Sequence, residues 1–405
     1  MRRLVTRAVC IGLVAGMSVA VTGVLSSAAG GAVPVAKATG TPIRAISPDG
    51  FYNLTTSRVP GVKAAVKKIN AAGGVGGRPL EVVHCDGGTL NKVEACARQA
   101  ASDPTIVTAV GNLDVFGGFD AIAEAAGLPI VAPPTTRSDF SSPVYFAPSA
   151  GALAVAGEAV IANDNLKAKH IVLVYLDVPA GAAFPTLVNL AVLGPRGAKL
   201  SKSVPVPPDA VDMAPVVAAI PSDTDALILG ADASTCAKLM VQVRKAGLTF
   251  PIVTLPATQS ASQLKKTVGS AATNVYGVGA YNILGAGYQR YLADMKASGY
   301  DKNSVAINEQ TLGGWLSVQI LKSTFDKVGP KNITRESILS QLRATTAYDT
   351  GGLTPTVNLT QKQTALGGAV SNIVNATAVA YKYDVKHSKY LPLDKGKFVS
   401  LFTSS

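Results

Sequence analysis

Apolar β-branched runs alternate with Ala-rich amphipathic stretches along most of this chain. The segment Val59 to Ala71 predicts a helix, because Val62, Ala65 and Ile69 fall on one face at a period of about 3.6 residues. Further helices are predicted over residues 92–101, 120–126, 153–163, 185–193, 236–246, 287–297, 313–328 and 335–343. Strands are predicted over residues 80–83, 106–110, 128–131, 171–175, 226–229 and 252–255. Two successive βαβ series of similar size indicate an α/β fold with two doubly wound lobes.

The strand pattern also indicates where a ligand would bind. The run Ile171 to Tyr175 is apolar throughout, which fits a parallel strand covered on both faces. A more β-rich end follows from residue 354 to residue 402, and we expect it to complete the two lobes because it is too short for a domain. A bilobal α/β protein binds its ligand between the lobes, at loops beyond the carboxyl ends of the strands.

Composition narrows the class of protein. The 405 residues are 48% hydrophobic and 15% charged, which excludes a disordered or fibrous chain. At roughly 150 residues per domain this length allows two or three globular units. The net charge of +12 includes Arg2, Arg3, Arg7 and Lys37, and removal of residues 1–38 would leave +8. The remaining Lys and Arg are scattered, whereas nucleic-acid binding favours a basic stripe with stacking aromatics, so no nucleic-acid partner is predicted.

The N-terminus predicts export. Three arginines precede an apolar stretch over residues 8–25, and small residues follow it in the manner of a signal-peptidase site. A transmembrane anchor is the alternative, but the stretch is only marginally as long as the ~20 residues that a spanning helix needs. Cys10 precedes most of the apolar core, so it is not a lipoprotein cysteine. We therefore predict that residues 1–38 are a cleaved signal peptide and that the product is soluble in the periplasm, cell envelope or medium.

Export also bears on the cysteines. Cys85, Cys96 and Cys236 remain after cleavage, and an oxidising compartment favours a pair. Cys85 ends a predicted strand and Cys96 lies eleven residues on in a predicted helix, so we expect a Cys85–Cys96 disulfide with Cys236 as a small buried thiol. A zinc site needs closely spaced Cys and His ligands. His84 and Cys85 alone supply too few ligands for a zinc site, so neither a metal site nor a cofactor is predicted.

Enzyme signatures are missing from the sequence. It contains no GxSxG elbow, no HExxH, no GxxxxGK[ST], and no GxGxxG between a strand and a helix. The glycines at 73–77 come between a helix and a strand, which is the wrong order for a dinucleotide loop. The chain is therefore predicted not to be an enzyme, with an exported enzyme as an alternative.

Residues 64–86, AAVKKINAAGGVGGRPLEVVHCD, resemble the N-terminal signature of type I periplasmic binding proteins of the branched-chain amino-acid group. A helix there ends in glycines that can take positive φ before the chain turns into a strand. The likeness continues in family order at residues 95–111, 127–136, 246–253, 308–321 and 348–360. The resemblance is to leucine/isoleucine/valine-binding-like proteins, and it implies that the chain is a substrate-binding subunit of an ABC importer.

The resemblance implies a fold and a partner. It implies two Rossmann-like lobes joined by a three-strand hinge, with crossings near Phe146, residues 276–281 and residues 348–352. Lobe one would be residues 39–146 plus about 282–348, and lobe two residues 147–281 plus about 349–405. It implies a monomer that closes on a small ligand and delivers it to a membrane permease. A sensor that passes the ligand signal to a membrane receptor is the alternative.

The resemblance also implies ligand contacts, and the sequence departs from several of them. Thr136, with the amide of Thr135, matches the pair that holds the ligand carboxylate. The loop over residues 112–116 lacks the family's serine, and Ala180 stands in place of its tyrosine. Thr235 occupies the position closest to the acid that pairs with the ligand ammonium. The α-amino-acid clamp is therefore incomplete.

Other residues of the same loops are candidate replacements. Asp114 or Asp232 could accept an ammonium, amide or hydroxyl group. Flat apolar contact could come from Phe116, Tyr52 or Tyr281, and for each of these five residues core packing or a surface role is the alternative. Branched-chain or related amino acids are the first ligand class by family. Amides and aromatic acids come next, because the clamp is altered.

Overall fold

Two β-sheets form the framework of the protein, and the computed structural model describes them over residues 37–50, 57–255, 261–302, 304 and 306–402. Of the predicted signal peptide, only residues 37 and 38 belong to these residues. The predicted site residue Tyr52 lies outside them. The first sheet has five parallel strands in the order β2-β1-β3-β4-β5. These strands are β1 (Ile43–Asp49), β2 (Leu80–Asp86), β3 (Ile106–Val110), β4 (Ile130–Val131) and β5 (Tyr145–Phe146).

Six helices belong with the first sheet. They are α1 (Val59–Ala71), α2 (Leu90–Ser102), α3 (Asp120–Ala125), α10 (Ala286–Ala297), α11 (Glu309–Val328) and α12 (Arg335–Arg343). Helix α1 packs against α10 and α11, and both α11 and α12 contact β3. A Cβ added at Gly61 of α1 would lie 1.7 Å from the Thr311 carbonyl oxygen, so only glycine permits this close approach of α1 to α11.

The second sheet has eight strands in the order β12-β11-β10-β9-β8-β6-β7, with β13 paired to β11. They are β6 (Ile171–Leu176), β7 (Leu200–Val206), β8 (Ala226–Gly230), β9 (Ile252–Thr254), β10 (Val275–Gly279), β11 (Thr377–Asp384), β12 (Lys389–Pro392) and β13 (Phe398–Ser400). Strands β6 to β10 run parallel, whereas β11 is antiparallel to its three neighbours. Its helices are α4 (Ala154–Val160), α5 (Pro179–Ala182), α6 (Phe184–Leu187), α7 (Ala214–Ala218), α8 (Ala233–Lys245) and α9 (Ala261–Thr267).

Strand β6 is buried on both faces. Ile171 and Leu173 join the larger hydrophobic core, which also includes the first sheet, while Val172 and Val174 join a separate core on the opposite face of the second sheet. This is the arrangement that the continuous apolar run of β6 predicts. The predicted α/β fold with two parallel-sheet lobes is confirmed.

Several element boundaries differ from those predicted. Sequence reasoning missed β1, since Arg44 interrupts its apolar pattern, and the guanidinium of Arg44 pairs with Glu81 and Asp103 beside the strand. It also missed β7, in which polar residues alternate with apolar ones. Helix α11 begins at Glu309, before the predicted start at 313, because the Asn308 side chain caps it by accepting from the Thr311 amide.

The segments between the two sheets lie side by side. Ala147, directly after β5, forms a parallel bridge with Ile373, and Tyr348 pairs antiparallel with Val357. The side-chain amide of Asn372 donates to the Ser142 carbonyl at 2.6 Å. These contacts connect the segment before β11 with the end of the first sheet. The predicted lobe boundaries stay predictions.

Candidate ligand-binding cleft

A cavity of about 630 Å³ opens between the loops that follow β3 and β4 and the chain that follows β6. These loops leave the carboxyl ends of strands from both sheets, which is where open α/β sheets bind ligands. The lining is mostly aliphatic and aromatic, with four hydroxyl side chains and one charged group. It comprises Phe116, Gly117, Thr135, Thr136, Arg137, Ser138, Phe140, Pro179, Ala180, Ala183, Phe184, Thr186, Leu187, Leu190, Leu366, Ala369 and Val370.

Aromatic rings from both lobes contribute to the apolar walls. Phe116 and Phe140 come from the first-sheet loops, and Phe184 comes from α6. A Cβ at Gly230, at the end of β8, would lie 3.1 Å from a Phe184 ring carbon, so the missing side chain leaves room for this ring. Leu190 is 64% exposed and Leu366 is 36% exposed at the same cavity, so apolar surface remains available to a ligand.

The loop after β4 is held by an internal carboxylate. Asp139 Oδ2 accepts from the backbone amides of Thr135 and Thr136, the second at 2.9 Å, and Asp139 Oδ1 accepts from the Thr136 hydroxyl at 3.1 Å. The Thr135 hydroxyl oxygen accepts from Arg58 at 3.2 Å. Thr135 and Thr136 therefore line the cavity, but the groups expected to hold a ligand carboxylate are already hydrogen-bonded within the protein.

Arg58 holds several loops together from behind the cavity. Its side chain is buried, with a residue exposure of 1%. The guanidinium donates to the carbonyl oxygens of Asn112 and Pro133, the latter at 2.8 Å, and to the Gln310 side chain at 2.9 Å. It thus joins the loop after β3, the loop after β4 and the first turn of α11. Sequence reasoning missed this residue, because a single arginine before a helix gives no sign of burial.

Asp114 is buried and stabilises its own loop. Oδ1 accepts from the amides of Phe116 at 2.8 Å and Gly117 at 2.9 Å, and Oδ2 accepts from the amide of Phe119 at 2.9 Å. Burial raises the pKa of Asp114 above its usual value, against the effect of these three donors. The carboxylate does not line the cavity, whereas the predicted candidate Phe116 of the same loop does.

Asp120 is a second buried acid close to this loop. Burial raises the pKa of its carboxyl strongly, and the nearby Asp139 carboxylate raises it further. Burial beside a second acid thus favours the protonated form of Asp120, and Asp139 accepts the hydrogen bonds of the loop amides.

The remaining predicted site residues lie outside the cavity lining. Asp232 is the N-cap of α8, where Oδ1 accepts from the amides of Ser234 at 2.8 Å and Thr235 at 3.3 Å. Tyr281 is buried, and its hydroxyl hydrogen-bonds that of Ser149 at 2.9 Å. Tyr281 instead lines a smaller cavity of about 360 Å³. The large cavity thus gathers Phe116, Thr135 and Thr136, but not Asp114, Asp232 or Tyr281.

Arg137 is the charged residue of the cavity, and sequence reasoning missed it. It follows Thr136 directly, and its side chain is exposed. Its guanidinium makes no hydrogen bond or ion pair with any residue of the described ranges. The sequence places Arg137 directly after the predicted Thr135–Thr136 pair, and this position could have indicated a cation at the cavity.

Sequence comparison decides the family to which this framework belongs. Residues 47–371 match a family model described as periplasmic binding protein. The chain belongs to the periplasmic binding protein family. The resemblance to its type I branch, read from residues 64–86 and the segments after them, is confirmed. Among curated proteins, none matches the chain.

Solved periplasmic binding proteins share the fold. A substrate-binding periplasmic protein from Ralstonia solanacearum is 18% identical, with a TM-score of 0.73 over 87% of this chain and 100% of that chain. A fatty acid ABC transporter substrate-binding protein from Thermomonospora curvata is 17% identical, with a TM-score of 0.72 over 90% and 95% of the two chains. A branched-chain amino acid transporter substrate-binding protein from Streptococcus pneumoniae, solved with isoleucine, is 17% identical, with a TM-score of 0.65 over 87% and 100%.

Other features of this periplasmic binding protein lie away from the cleft. Cys85 and Cys96 form a disulfide with a Cα–Cα distance of 6.0 Å, which joins β2 to α2 as predicted, and Cys236 is a buried free thiol. Within the described ranges, no group of three or more His, Cys, Asp or Glu side chains could hold a metal ion. None of the helices described is both long and apolar enough to cross a membrane.

Proposed function

We propose that this chain is an exported substrate-binding protein that captures a small organic ligand in the 630 Å³ cleft and delivers it to an ABC importer. The observation that carries the proposal is the position of the cavity. Its walls are the loops at the carboxyl ends of β3, β4 and β6, so both lobes contact whatever binds there. Export is supported by the arginines and apolar stretch at the N-terminus.

The proposed ligand is an amino acid or a related compound. One solved relative is named for fatty acid transport, and another is solved with isoleucine. Those two ligand types share a carboxylate on a hydrocarbon chain. An apolar cavity with a few hydroxyl groups and one arginine matches these two features of a ligand.

The mechanism that we propose is capture by closure. A ligand that contacts both lobes binds the closed state better than the open one, and it therefore shifts the population toward closure. The exposed rim leucines Leu190 and Leu366 give this step an apolar contribution, because closure over a ligand removes their surface from water.

Thermal unfolding tests the proposal. The chain from residue 39 onward is refolded to remove bound ligand and screened against amino acids, amides, aromatic and aliphatic acids, and small sugars. At about 100 times its dissociation constant a ligand adds ~2.7 kcal/mol, which corresponds to a shift of several degrees. We expect a selective shift with carboxylic compounds that carry an apolar chain.

A matched pair of variants locates the binding site. Ala183→Trp places an indole in the cleft and should abolish the shift, whereas Ala218→Trp, on an exposed position of α7, should retain it. No shift with any compound would contradict ligand capture. A shift that survives Ala183→Trp would place the ligand elsewhere. Uptake of the same ligand by cells with and without the chain tests the transport step.

A further inference from the structure

The large cavity contains no acidic side chain. All 25 Asp and Glu residues belong to the described part of the chain, because residues 1–36, 51–56, 256–260, 303, 305 and 403–405 contain none. No segment outside the described residues therefore brings an Asp or Glu side chain to the cavity. A ligand ammonium would enter an apolar space that holds a cation and no counter-charge, and leaving a charge unpaired after desolvation is strongly unfavourable.

Three acids on the loops bordering the cavity accept hydrogen bonds from the protein itself, whereas the exposed Asp177 lies outside the cavity lining. Asp114 accepts three backbone amides, and Asp139 accepts two amides and a hydroxyl. Asp232 accepts two amides through Oδ1 at the start of α8. Its Oδ2 has no partner in the part of the chain that the structure describes, which makes Asp232 the acid to examine for any ammonium contact.

Arg137 is the one charged donor for a ligand carboxylate among the described residues that line the cavity. The amides of Thr135 and Thr136 already donate to Asp139. Arg137 and Ser138 both line the cavity, and the Arg137 guanidinium has no hydrogen-bond or ion-pair partner among the described residues. A guanidinium presents parallel N–H groups that match both oxygens of a carboxylate.

We propose that the cleft selects a small apolar carboxylate that lacks an ammonium group, with Arg137 as the residue that binds the carboxylate. This inference rests on the proposed function and narrows its ligand. Phe116, Phe140, Phe184 and Leu187 surround the hydrocarbon part, which is aliphatic or aromatic. Specificity against amino acids arises because no acidic side chain among the described lining residues offsets the charge of the ammonium when it loses its water.

Calorimetric titration with matched compounds tests the inference. Leucine and 4-methylpentanoate share one carbon skeleton and differ by the amino group, and 3-methylbutylamine keeps the amino group but lacks the carboxylate. With the refolded wild-type chain we expect 4-methylpentanoate to bind at least tenfold more tightly than leucine, and the amine not to bind. Arg137→Gln should weaken binding of the acid at least tenfold, since a charge-assisted pair is lost.

Control variants keep the test specific. Arg98→Gln makes the same change on the exposed face of α2 and should leave the affinity unchanged. Asp232→Asn should also leave it unchanged. Thermal unfolding of each variant shows whether it is folded, and Arg137→Lys should restore part of the affinity that Arg137→Gln loses.

The alternative outcomes separate this inference from the proposed function. Tighter binding of leucine than of 4-methylpentanoate, lost in Asp232→Asn, would overturn the inference and leave ligand capture standing. Unchanged affinity for the acid in Arg137→Gln would overturn the role of Arg137. Binding of only uncharged compounds, such as sugars, would overturn the carboxylate assignment. No binding of any compound would contradict the proposed function itself.

Discussion

The Asp139 carboxylate accepts a hydrogen bond from the backbone amide of Thr136 at 2.9 Å and another from its hydroxyl at 3.1 Å. A Thr followed three residues later by an acid is a capping arrangement, in which the acid satisfies amides that a turn leaves without partners. The resemblance to amino-acid binders assigned the same donors to a ligand carboxylate. In this protein these groups donate to the Asp139 carboxylate instead, so ligand recognition depends on other groups of the cleft.

Asp139→Ala should destabilise the protein. The variant leaves the amides of Thr135 and Thr136 buried without an acceptor, and the free energy of unfolding should fall by about 1–3 kcal/mol. Denaturant titration measures the change. The exposed Asp209 gives the control, since Asp209→Ala should stay within about 0.5 kcal/mol of wild type. Equal stability of wild type and Asp139→Ala would contradict the proposed role of this carboxylate.

Leu190→Ala should weaken ligand binding without changing stability. Leu190 is 64% exposed on the cleft rim, so its truncation removes contact with the ligand but little of the core. At about 0.8 kcal/mol per buried CH₂, partial loss of contact predicts an affinity roughly 3- to 30-fold lower. Calorimetry gives the affinity. Leu391→Ala, at a 41% exposed leucine outside the cleft lining, should bind as wild type does, and equal loss in both variants would count against the cleft.

Removal of the Cys85–Cys96 disulfide should lower stability and spare ligand binding. The bridge spans 11 residues, and loops of this size contribute about 2–4 kcal/mol by restricting the unfolded chain. Cys85→Ala combined with Cys96→Ala should therefore unfold at a lower temperature with unchanged affinity. A reductant should lower the unfolding temperature of wild type but not of the double variant. If it lowers both equally, the disulfide is not the source of the effect.

Glu158 should make the protein less stable as the pH rises. Its side chain is fully buried, Oε2 accepts from the Leu229 amide at 3.1 Å, and burial raises the pKa well above the usual 4.5. The folded state then binds more protons than the unfolded state above pH 4.5, so the free energy of unfolding falls with rising pH. One such group contributes at most about 1.4 kcal/mol per pH unit.

Glu158→Gln tests this dependence, because an amide resembles the protonated acid. Its free energy of unfolding should fall less between about pH 5 and about pH 8 than that of wild type. Denaturant titrations across this range give the comparison. Glu81→Gln, at an exposed glutamate of β2, should retain the wild-type slope. An identical slope in Glu158→Gln and wild type would show that Glu158 does not titrate in this way.

The fold could be predicted where local pattern dominates. Helix α1 has the predicted bounds, Val59 to Ala71, because its apolar face repeats regularly and glycines follow it. The Cys85–Cys96 pair was also predictable, since the strand and helix that carry it are adjacent in sequence. Strand β1 was not predictable from the sequence. Its Arg44 pairs with acids that lie elsewhere in the chain, and sequence periodicity does not show such partners.

The cleft was harder to predict than the fold. Acids directly after strands resemble ligand acceptors, but both oxygens of Asp114 and Oδ1 of Asp232 accept from amides of their own loop or helix, which is the common role of Asp at such positions. Arg58 reaches carbonyl oxygens 54 and 75 residues away in sequence, so its burial depends on tertiary structure. The Thr135–Thr136 pair lines the cavity because it lies in the loop that follows strand β4, and its ligand-binding role stays a prediction.

A crystal structure of the protein with the compound that gives the largest thermal shift would show where the ligand binds. We expect the compound to lie in the 630 Å³ cavity, with its hydrocarbon part between Phe116 and Phe184 and its carboxylate on the Arg137 guanidinium. A compound bound instead in the smaller cavity beside Tyr281, or on the outer surface with the large cavity empty, would contradict this expectation.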